Sequence, residues 1–174
     1  MTKTNLAGWG LLSTLLIASS LGIPATAQVA PMCSDGERAH QFDFWIGEWD
    51  VYSQEQLAGT NSIRPILGGC VLQEMWNGAQ GSAGSSLNFY NPQEKQWQQF
   101  WVWRNGTTLN LAGGLVDGKM VLEGDSVNRE GEAIRNRITW TANPDGTVRQ
   151  HWEVSQDESE SWQTAFDGLY KKKP

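Results

Sequence analysis

The chain has 174 residues, of which 39% are hydrophobic and 18% are charged, and its formal net charge at pH 7 is −6. This length is typical of one domain. The only cluster of basic residues is Lys171 to Lys173, near the C-terminal end. Such a chain lacks the positive surface that binds phosphate backbones, which excludes nucleic acid as a partner.

Residues 1–27 have the form of a secretory signal peptide. Lys3 supplies a positive charge, Leu11 to Ile23 form an apolar segment too short and too interrupted to span a bilayer comfortably, and Ala25-Thr26-Ala27 matches a cleavage site. The alternative is an uncleaved membrane anchor. Cleavage removes one lysine and no acidic residue, so the formal charge goes from −6 to −7. The predicted mature protein is periplasmic or secreted, without stable membrane insertion.

Both cysteines, Cys33 and Cys70, lie in the exported part of the chain. An oxidising compartment favours a disulfide between them. In the chain-entropy model such a bridge contributes on the order of 3 to 4 kcal/mol. A redox or metal-binding thiol pair is the alternative, but no CxxC spacing accompanies it. The bridge is predicted to tie an N-terminal extension, residues 28–41, to the third strand.

From Phe42 onward, short β-prone runs alternate with turn signals, most of which contain glycine. Nine breaks separate ten predicted strands. The breaks are Ala58-Gly59, Leu67-Gly68-Gly69, Gly78 to Gly84, Asn91-Pro92, Asn105-Gly106, Asp117-Gly118, Arg129 to Glu132, Asn143-Pro144-Asp145-Gly146 and Gln156 to Glu160.

The connections predict an antiparallel meander over residues 42–174. Asn105-Gly106 is the strongest hairpin signal, because both central residues of a type I′ turn need positive φ. No stretch has the apolar spacing of a helix, which parallel strands would need as connections. An all-β, antiparallel up-and-down β-barrel of about ten strands would leave no exposed edge. A two-sheet sandwich fits the composition nearly as well.

Gly47-Glu48-Trp49 opens the first predicted strand, after a turn-prone segment from Gln41 to Trp45. These residues resemble the G-x-W signature of lipocalins, fatty-acid-binding proteins and their calycin relatives. The resemblance implies a lipocalin-like barrel in which Gly47 lets the chain bend into the first strand. Trp49, with Trp45 beside it, would then plug the closed end. The interleaved Glu48 would face the other side of the strand.

In lipocalins an arginine from a late strand often covers the plug tryptophan, which makes Arg137 or Arg149 a candidate for that role. The segment FDFWIGEWDV also resembles the start of an uncharacterised family of exported bacterial proteins with a lipocalin-like fold. Further matches to that family are GGCVLQEMW at Gly68 to Trp76, SSLNFY at Ser85 to Tyr90, RITW at Arg137 to Trp140, RQHWEVS at Arg149 to Ser155 and FDGLY at Phe166 to Tyr170. The resemblance implies a fold but no activity.

The chain is rich in tryptophan, with ten in all. Trp97, Trp101 and Trp103 share one face of the fifth predicted strand, and Phe100 and Val102 share the other. Large rings line ligand pockets well because they bury much area with few rotamers. Either one set fills the core and the other covers it, or the tryptophan stripe contacts a ligand.

Polar side chains with aromatic neighbours are further candidates for ligand contact. An inward-pointing Glu74 or Gln99 would orient a ligand, because an unpaired buried polar group is costly. Alternatively these groups satisfy each other or solvent. The predicted ligand-binding residues are Glu74, Trp76, Asn88, Tyr90, Trp101, Arg137, Trp140, Gln150 and Trp152.

No metal site is predicted, and the sequence leaves the cofactor unknown. His151 raises the possibility of haem, since some calycin barrels bind haem through a late-strand histidine. Strand alternation instead places it with Arg149 and Glu153 in a charged outer stripe, and zinc would lack a third ligand. No nucleophile elbow or phosphate-binding glycine loop occurs.

The sequence therefore predicts an exported protein that holds a small apolar or aromatic molecule inside a β-barrel. One alternative is a small enzyme that uses a carboxylate such as Glu74 as acid or base. Another is a carbohydrate-binding module with exposed tryptophans. The sequence indicates neither the identity of the ligand nor the oligomeric state.

Overall fold

The structure is a computed structural model that describes Met1, Cys33 and residues 36–128, 130–156 and 161–174. Apart from Met1, the predicted signal peptide lies outside the described residues. So does most of residues 28–35. The break predicted at Gln156 to Glu160 is described only at Gln156.

Ten antiparallel strands form a closed barrel, in which each strand pairs with its neighbours in the chain and the first pairs with the last. The prediction of an all-β up-and-down barrel is confirmed, and the sandwich alternative is wrong. The strands are β1 Gly47–Ser53, β2 Gln56–Ile66, β3 Val71–Gly78, β4 Ala83–Asn91, β5 Gln96–Trp103, β6 Thr108–Val116, β7 Lys119–Val127, β8 Ala133–Ala142, β9 Val148–Ser155 and β10 Gln163–Lys172.

Side chains alternate between the interior and the exterior of the barrel. In β5, Trp97 and Gln99 are buried whereas Phe100 is exposed. In β9, Arg149 forms an ion pair with Asp167 on the outer face at 2.7 Å. The predicted split of the two faces in β5 and the predicted outer stripe of β9 are both confirmed.

The first predicted break, Ala58-Gly59, is wrong because both residues lie within β2. The β1–β2 hairpin turns instead at Gln54 and Glu55, whose φ angles are 49° and 65°. Gly59 is required for space. A Cβ there would lie 2.5 Å from the Asn77 carbonyl oxygen and 2.7 Å from the ring of Trp76.

A short lead-in fills the end of the barrel at which the odd-numbered strands begin. It contains two 3₁₀ turns, Arg38–His40 and Asp43–Trp45. Phe42 stacks on Trp45 at 4.9 Å and meets the edge of Trp140 at 5.1 Å, and all three rings are fully buried. We refer to Phe42, Trp45, Trp49 and Trp140 as the plug.

Gly47 and Trp49 set the geometry of the plug. Gly47 has a φ of 153°, and a Cβ on it would lie 3.2 Å from the indole ring of Trp49. Trp49 Nε1 donates a hydrogen bond to the carbonyl oxygen of Trp45 at 2.9 Å. The glycine thus lets the indole fold back against its own backbone and hold the lead-in across the barrel end.

A lysine, rather than the expected arginine, lies over the Trp49 ring. Arg137 pairs with Glu153 on the outer face, and Arg149 is also outward. Lys172 lies opposite Trp49 in the β1–β10 register, with its Nζ 5.5 Å from the ring centroid. Strand alternation explains the difference, because it turns both arginines away from the interior.

The predicted disulfide between Cys33 and Cys70 is present. Cys70 directly precedes β3, so the bridge ties the N-terminal extension to the third strand. A disulfide indicates an oxidising compartment. Within the described ranges, no helix has the length and apolarity needed to cross a membrane.

Candidate ligand-binding cavity

A cavity of about 410 Å³ occupies the barrel at the end opposite the plug. Leu57 and Ser82 line it from the β1–β2 and β3–β4 hairpins. Its wall is rich in aromatic side chains. The six that line it are Trp76, Trp101, Trp103, Trp152, Phe166 and Tyr170.

The rings support one another around the cavity. Trp103 lies between Trp101 at 5.6 Å and Trp152 at 6.3 Å, measured between ring centroids. Trp76 meets the edge of Phe166 at 6.3 Å. Rings from β5 and β9 therefore meet across the barrel, and a second pair of rings from β3 and β10 does the same.

Hydrogen bonds fix two of these rings, and a glycine makes room for a third. Trp76 Nε1 donates to Ser82 Oγ at 3.2 Å, and Trp152 Nε1 donates to Asn136 Oδ1 at 3.1 Å. A Cβ at Gly84 would come within 2.3 Å of the Trp101 ring. Gly84 therefore provides the space that Trp101 occupies on the neighbouring strand.

The inner end of the cavity is polar, and its central group is Glu74 on β3. Glu74 is 4% exposed and lines the cavity. Asn61 Nδ2 donates to Glu74 Oε1 at 2.7 Å, and Ser86 Oγ donates to Glu74 Oε2 at 2.6 Å. The two donors come from the strands on either side of β3, β2 and β4, and so hold the carboxyl group in one orientation.

The network continues on both sides of this carboxyl group. Toward β5, Asn88 Nδ2 donates to Ser86 Oγ at 2.8 Å, and Gln99 Nε2 donates to Asn88 Oδ1 at 2.7 Å. Toward β9, Tyr170 OH donates to Gln150 Oε1 at 2.6 Å and accepts a bond from Asn61 at 3.2 Å. Glu74 is thus the one carboxyl group in a connected layer of otherwise neutral groups.

Burial controls the ionisation of this layer. It raises the pKa of Glu74 from its usual 4.5 to about 7, against the opposing effect of the bonds from Ser86 and Asn61. Burial, followed by the charge of Glu74, raises the pKa of Tyr170 well above 10. Near neutral pH the phenol is therefore neutral, while the carboxyl group exchanges between its two forms.

Five of the predicted ligand-binding residues meet at this cavity. They are Glu74, Trp76, Trp101, Gln150 and Trp152. Asn88 is fully buried behind them and is linked to Glu74 through Ser86.

Three predicted residues lie elsewhere. Trp140 belongs to the plug, and Tyr90 packs beside Trp97 with its hydroxyl accepting a bond from Arg38. The Arg137 guanidinium lies over Trp162 on the outer face, 4.0 Å from the ring centroid.

Sequence reasoning missed several members of the site. Asn61, Ser86 and Tyr170 complete the polar layer, and Phe166 completes the wall. Strand alternation in FDGLY, which places Phe166 and Tyr170 on one face, is the signal that would have found two of them.

One cavity group lacks a partner. Trp101 Nε1 is buried without a hydrogen bond to any described residue. Among the described residues, no Lys, Arg or His lines the cavity, and no three His, Cys, Asp or Glu are grouped as metal ligands. This part of the chain therefore offers donors, acceptors and one acid, but no site built for a cation such as zinc.

A comparison with models of protein families gives no match, and none of the curated proteins matches the chain. Support for a function therefore comes from the geometry of the cavity alone.

Proposed function

We propose that the protein is an exported carrier, periplasmic or secreted, that holds a small apolar or aromatic molecule in the barrel. The observation that carries this proposal is the cavity of about 410 Å³, lined by six aromatic side chains, of which Tyr170 also belongs to the polar layer. Ligand cavities have volumes of roughly 300 to 1,000 Å³ and combine apolar walls with a few polar groups that set orientation. The disulfide supports export, because such bonds persist in oxidising compartments.

A native mass spectrum of the mildly purified mature protein tests this proposal. The expected result is a mass above that of the polypeptide. The additional mass should disappear on denaturation, and its value identifies the ligand. A bare polypeptide, both as purified and after incubation with an extract of the cells that make it, would overturn the carrier function.

A matched pair of variants assigns the bound mass to the cavity. Leu109 is buried and lines the cavity, whereas Asn110, next to it in β6, is exposed on the outer face. Leu109→Trp fills the cavity and should remove the additional mass, whereas Asn110→Trp should retain it. Thermal unfolding of both variants shows that each remains folded.

A second candidate function, an enzyme with Glu74 as acid or base, is favoured by one observation. The pKa of Glu74 is raised to about 7 by burial, and general acids and bases work best near that value. The recovered ligand, incubated with the wild-type protein and with Glu74→Gln, tests this candidate. A product formed only by the wild type establishes the enzyme, and a ligand unchanged by both supports the carrier.

The carbohydrate-binding alternative is not proposed. It requires an outer stripe of rings, but Trp97 is 1% exposed, and Trp101 and Trp103 line the internal cavity.

A further inference from the structure

We propose that the cavity selects organic cations, namely aromatic or alkyl amines whose ammonium group binds Glu74 while the apolar part contacts the tryptophans. This inference rests on the proposed carrier function, since it names the chemical class of the ligand. It is argued from the charge, the hydrogen bonds and the aromatic wall of the cavity.

The first argument is that Glu74 has no counter-ion among the barrel residues that the structure describes. The groups that face it from β2, β4 and β10 are Asn61, Ser86 and Tyr170, none of which is a cation. A buried carboxylate is costly unless a positive charge pairs with it. A ligand cation would supply that charge.

The carboxylates on the outer face show the contrast. Glu48 pairs with Arg64 at 2.9 Å, and Asp167 pairs with Arg149 at 2.7 Å, although all four side chains are substantially exposed. Glu74, the most deeply buried of these acids, is the one without an arginine. A purely structural acid at this depth would be expected to have a partner on the protein.

The second argument is that Glu74 retains free acceptor capacity. A carboxylate has about four lone-pair sites, and the bonds from Asn61 and Ser86 use two of them. Gln99 and Gln150 also line the cavity and add carbonyl oxygens near the same layer. An ammonium group carries only donors, so it matches a layer in which acceptors remain.

The third argument is the composition of the wall. Four of its six aromatic rings are tryptophan, which binds cations more strongly than other aromatic side chains do. The negative ring faces and the carboxylate together disfavour an anion. A neutral ligand would bury Glu74 further without pairing its charge, and would therefore bind best to the protonated form of the carboxyl group. The cavity therefore favours a positively charged ligand over both alternatives.

Matched pairs of probes test this inference. We would measure binding of tryptamine and phenethylamine, each against its neutral alcohol, tryptophol and 2-phenylethanol, by titration calorimetry at pH 8. Each amine is expected to bind the wild type at least tenfold more tightly than its alcohol. Glu74→Gln should lose that preference while still binding the alcohols. Glu48→Gln, which removes one negative charge from the outer face, should behave like the wild type.

Three results would overturn the inference. They are equal affinity for amine and alcohol, a preference for amines that survives in Glu74→Gln, and no binding of any probe to the wild type. The carrier function is judged separately by the native mass spectrum. A neutral molecule found in that spectrum would contradict the preference for amines and would still support the carrier function.

The pH dependence of amine binding gives a second readout. Because burial raises the pKa of Glu74 to about 7, the carboxyl group is protonated progressively below that pH. A primary amine stays charged throughout, with a pKa of about 10 like that of lysine. Tyr170 is the other titratable group facing Glu74, and its pKa is raised well above 10. Affinity should fall roughly tenfold per pH unit below 7 in the wild type, and a flat profile would contradict the role of Glu74.

Discussion

Glu74 lies in the interior with two hydrogen-bond donors and, among the described residues, no cation beside it. Burial raises its pKa from 4.5 to about 7. Between these values the folded protein keeps a proton that the unfolded chain has released. The free energy of unfolding should therefore fall as pH rises from 4.5 to 7, by roughly 3 kcal/mol in total, and should change little above 7 from this group. Urea unfolding of the ligand-free protein between pH 4.5 and 8 measures this change.

Glu74→Gln is the control for that measurement. The variant cannot ionise at this position, so the decline attributable to Glu74 should be absent, and the variant should be more stable than the wild type at pH 8. If the free energy of unfolding changed with pH in the same way in both proteins, the pKa of Glu74 would be the same in the folded and unfolded states.

Gly47 combines a φ of 153° with close approach of the Trp49 ring, 3.2 Å from the position of a Cβ. Gly47→Ala should lower the free energy of unfolding by about 1 to 3 kcal/mol, because both the backbone and the plug must adjust. Gly114→Ala is the matched control, since a Cβ there meets nothing within 4 Å and its φ is ordinary. Equal midpoints of urea unfolding for the two variants would show that the first strand does not need the glycine.

Strand alternation predicted which residues share a face, but neither which face points into the barrel nor how deep a residue lies in it. Trp76 and Trp152 lie on the cavity side. Tyr90 and Trp140 also face inward, yet they lie at the plug end, because strand register across the whole sheet sets their depth. Asn61 was missed since a lone amide in a polar strand carries no local signal of burial.

At the level of elements, turn chemistry predicted most of the hairpins. Asn105-Gly106 lies in the β5–β6 connection as predicted, but the predicted type I′ turn is wrong, because Gly106 has a φ of 84° and Asn105 does not have a positive φ. The β1–β2 turn was missed because Gln54 and Glu55 adopt positive φ without the residue types that usually do so. Gly59 was predicted to lie in a turn, but it lies within β2, where the absence of a Cβ leaves space for the Trp76 ring. A glycine in sequence thus marks either a turn or a close contact, and only the fold separates the two.

The disulfide and the plug hold the lead-in by different means. In the double variant Cys33→Ser, Cys70→Ser, the free energy of unfolding should fall by on the order of 3 kcal/mol, because the bridge no longer restricts the unfolded chain. Phe42, Trp45 and Trp49 are fully buried against the barrel and should keep the lead-in in place. Urea unfolding measures the loss, and near-ultraviolet circular dichroism checks the packing of the plug rings.

For this variant, retention of the wild-type aromatic spectrum is the expected outcome. Loss of the spectrum under native conditions would show that the bridge, rather than the aromatic packing, positions the lead-in. Phe42→Ala provides the comparison, since it should weaken the plug directly and cost about 3 to 5 kcal/mol.

At the level of the whole molecule, the meander was predictable and its closure was not. Short alternating strands and tight turns are shared by barrels and sandwiches, so both remained open from sequence. The pairing of β1 with β10, Trp49 opposite Lys172, decides between them. That contact joins the two ends of the fold, and no local pattern encodes it. Closure creates both the plugged end and the cavity that the sequence could predict only as a possibility.

The barrel divides its tryptophans between two roles, and a pair of substitutions tests the division. Trp140 is fully buried in the plug, whereas Trp103 is half-buried and lines the cavity. Trp140→Leu should cost about 3 kcal/mol of folding free energy, because it leaves a void among packed rings. Trp103→Leu should cost about 1 kcal/mol, since water already reaches its ring.

Of these two variants, the one that loses less stability, Trp103→Leu, should lose more of the bound ligand. Native mass spectra should show the bound mass kept in Trp140→Leu, under conditions where it is folded, and reduced in Trp103→Leu. If both variants lost stability equally and both kept the ligand, the cavity wall would be part of the core and the carrier function would lose its site. The predicted opposite ordering follows from the fold itself, because one end of the barrel is packed by the lead-in and the other is left hollow.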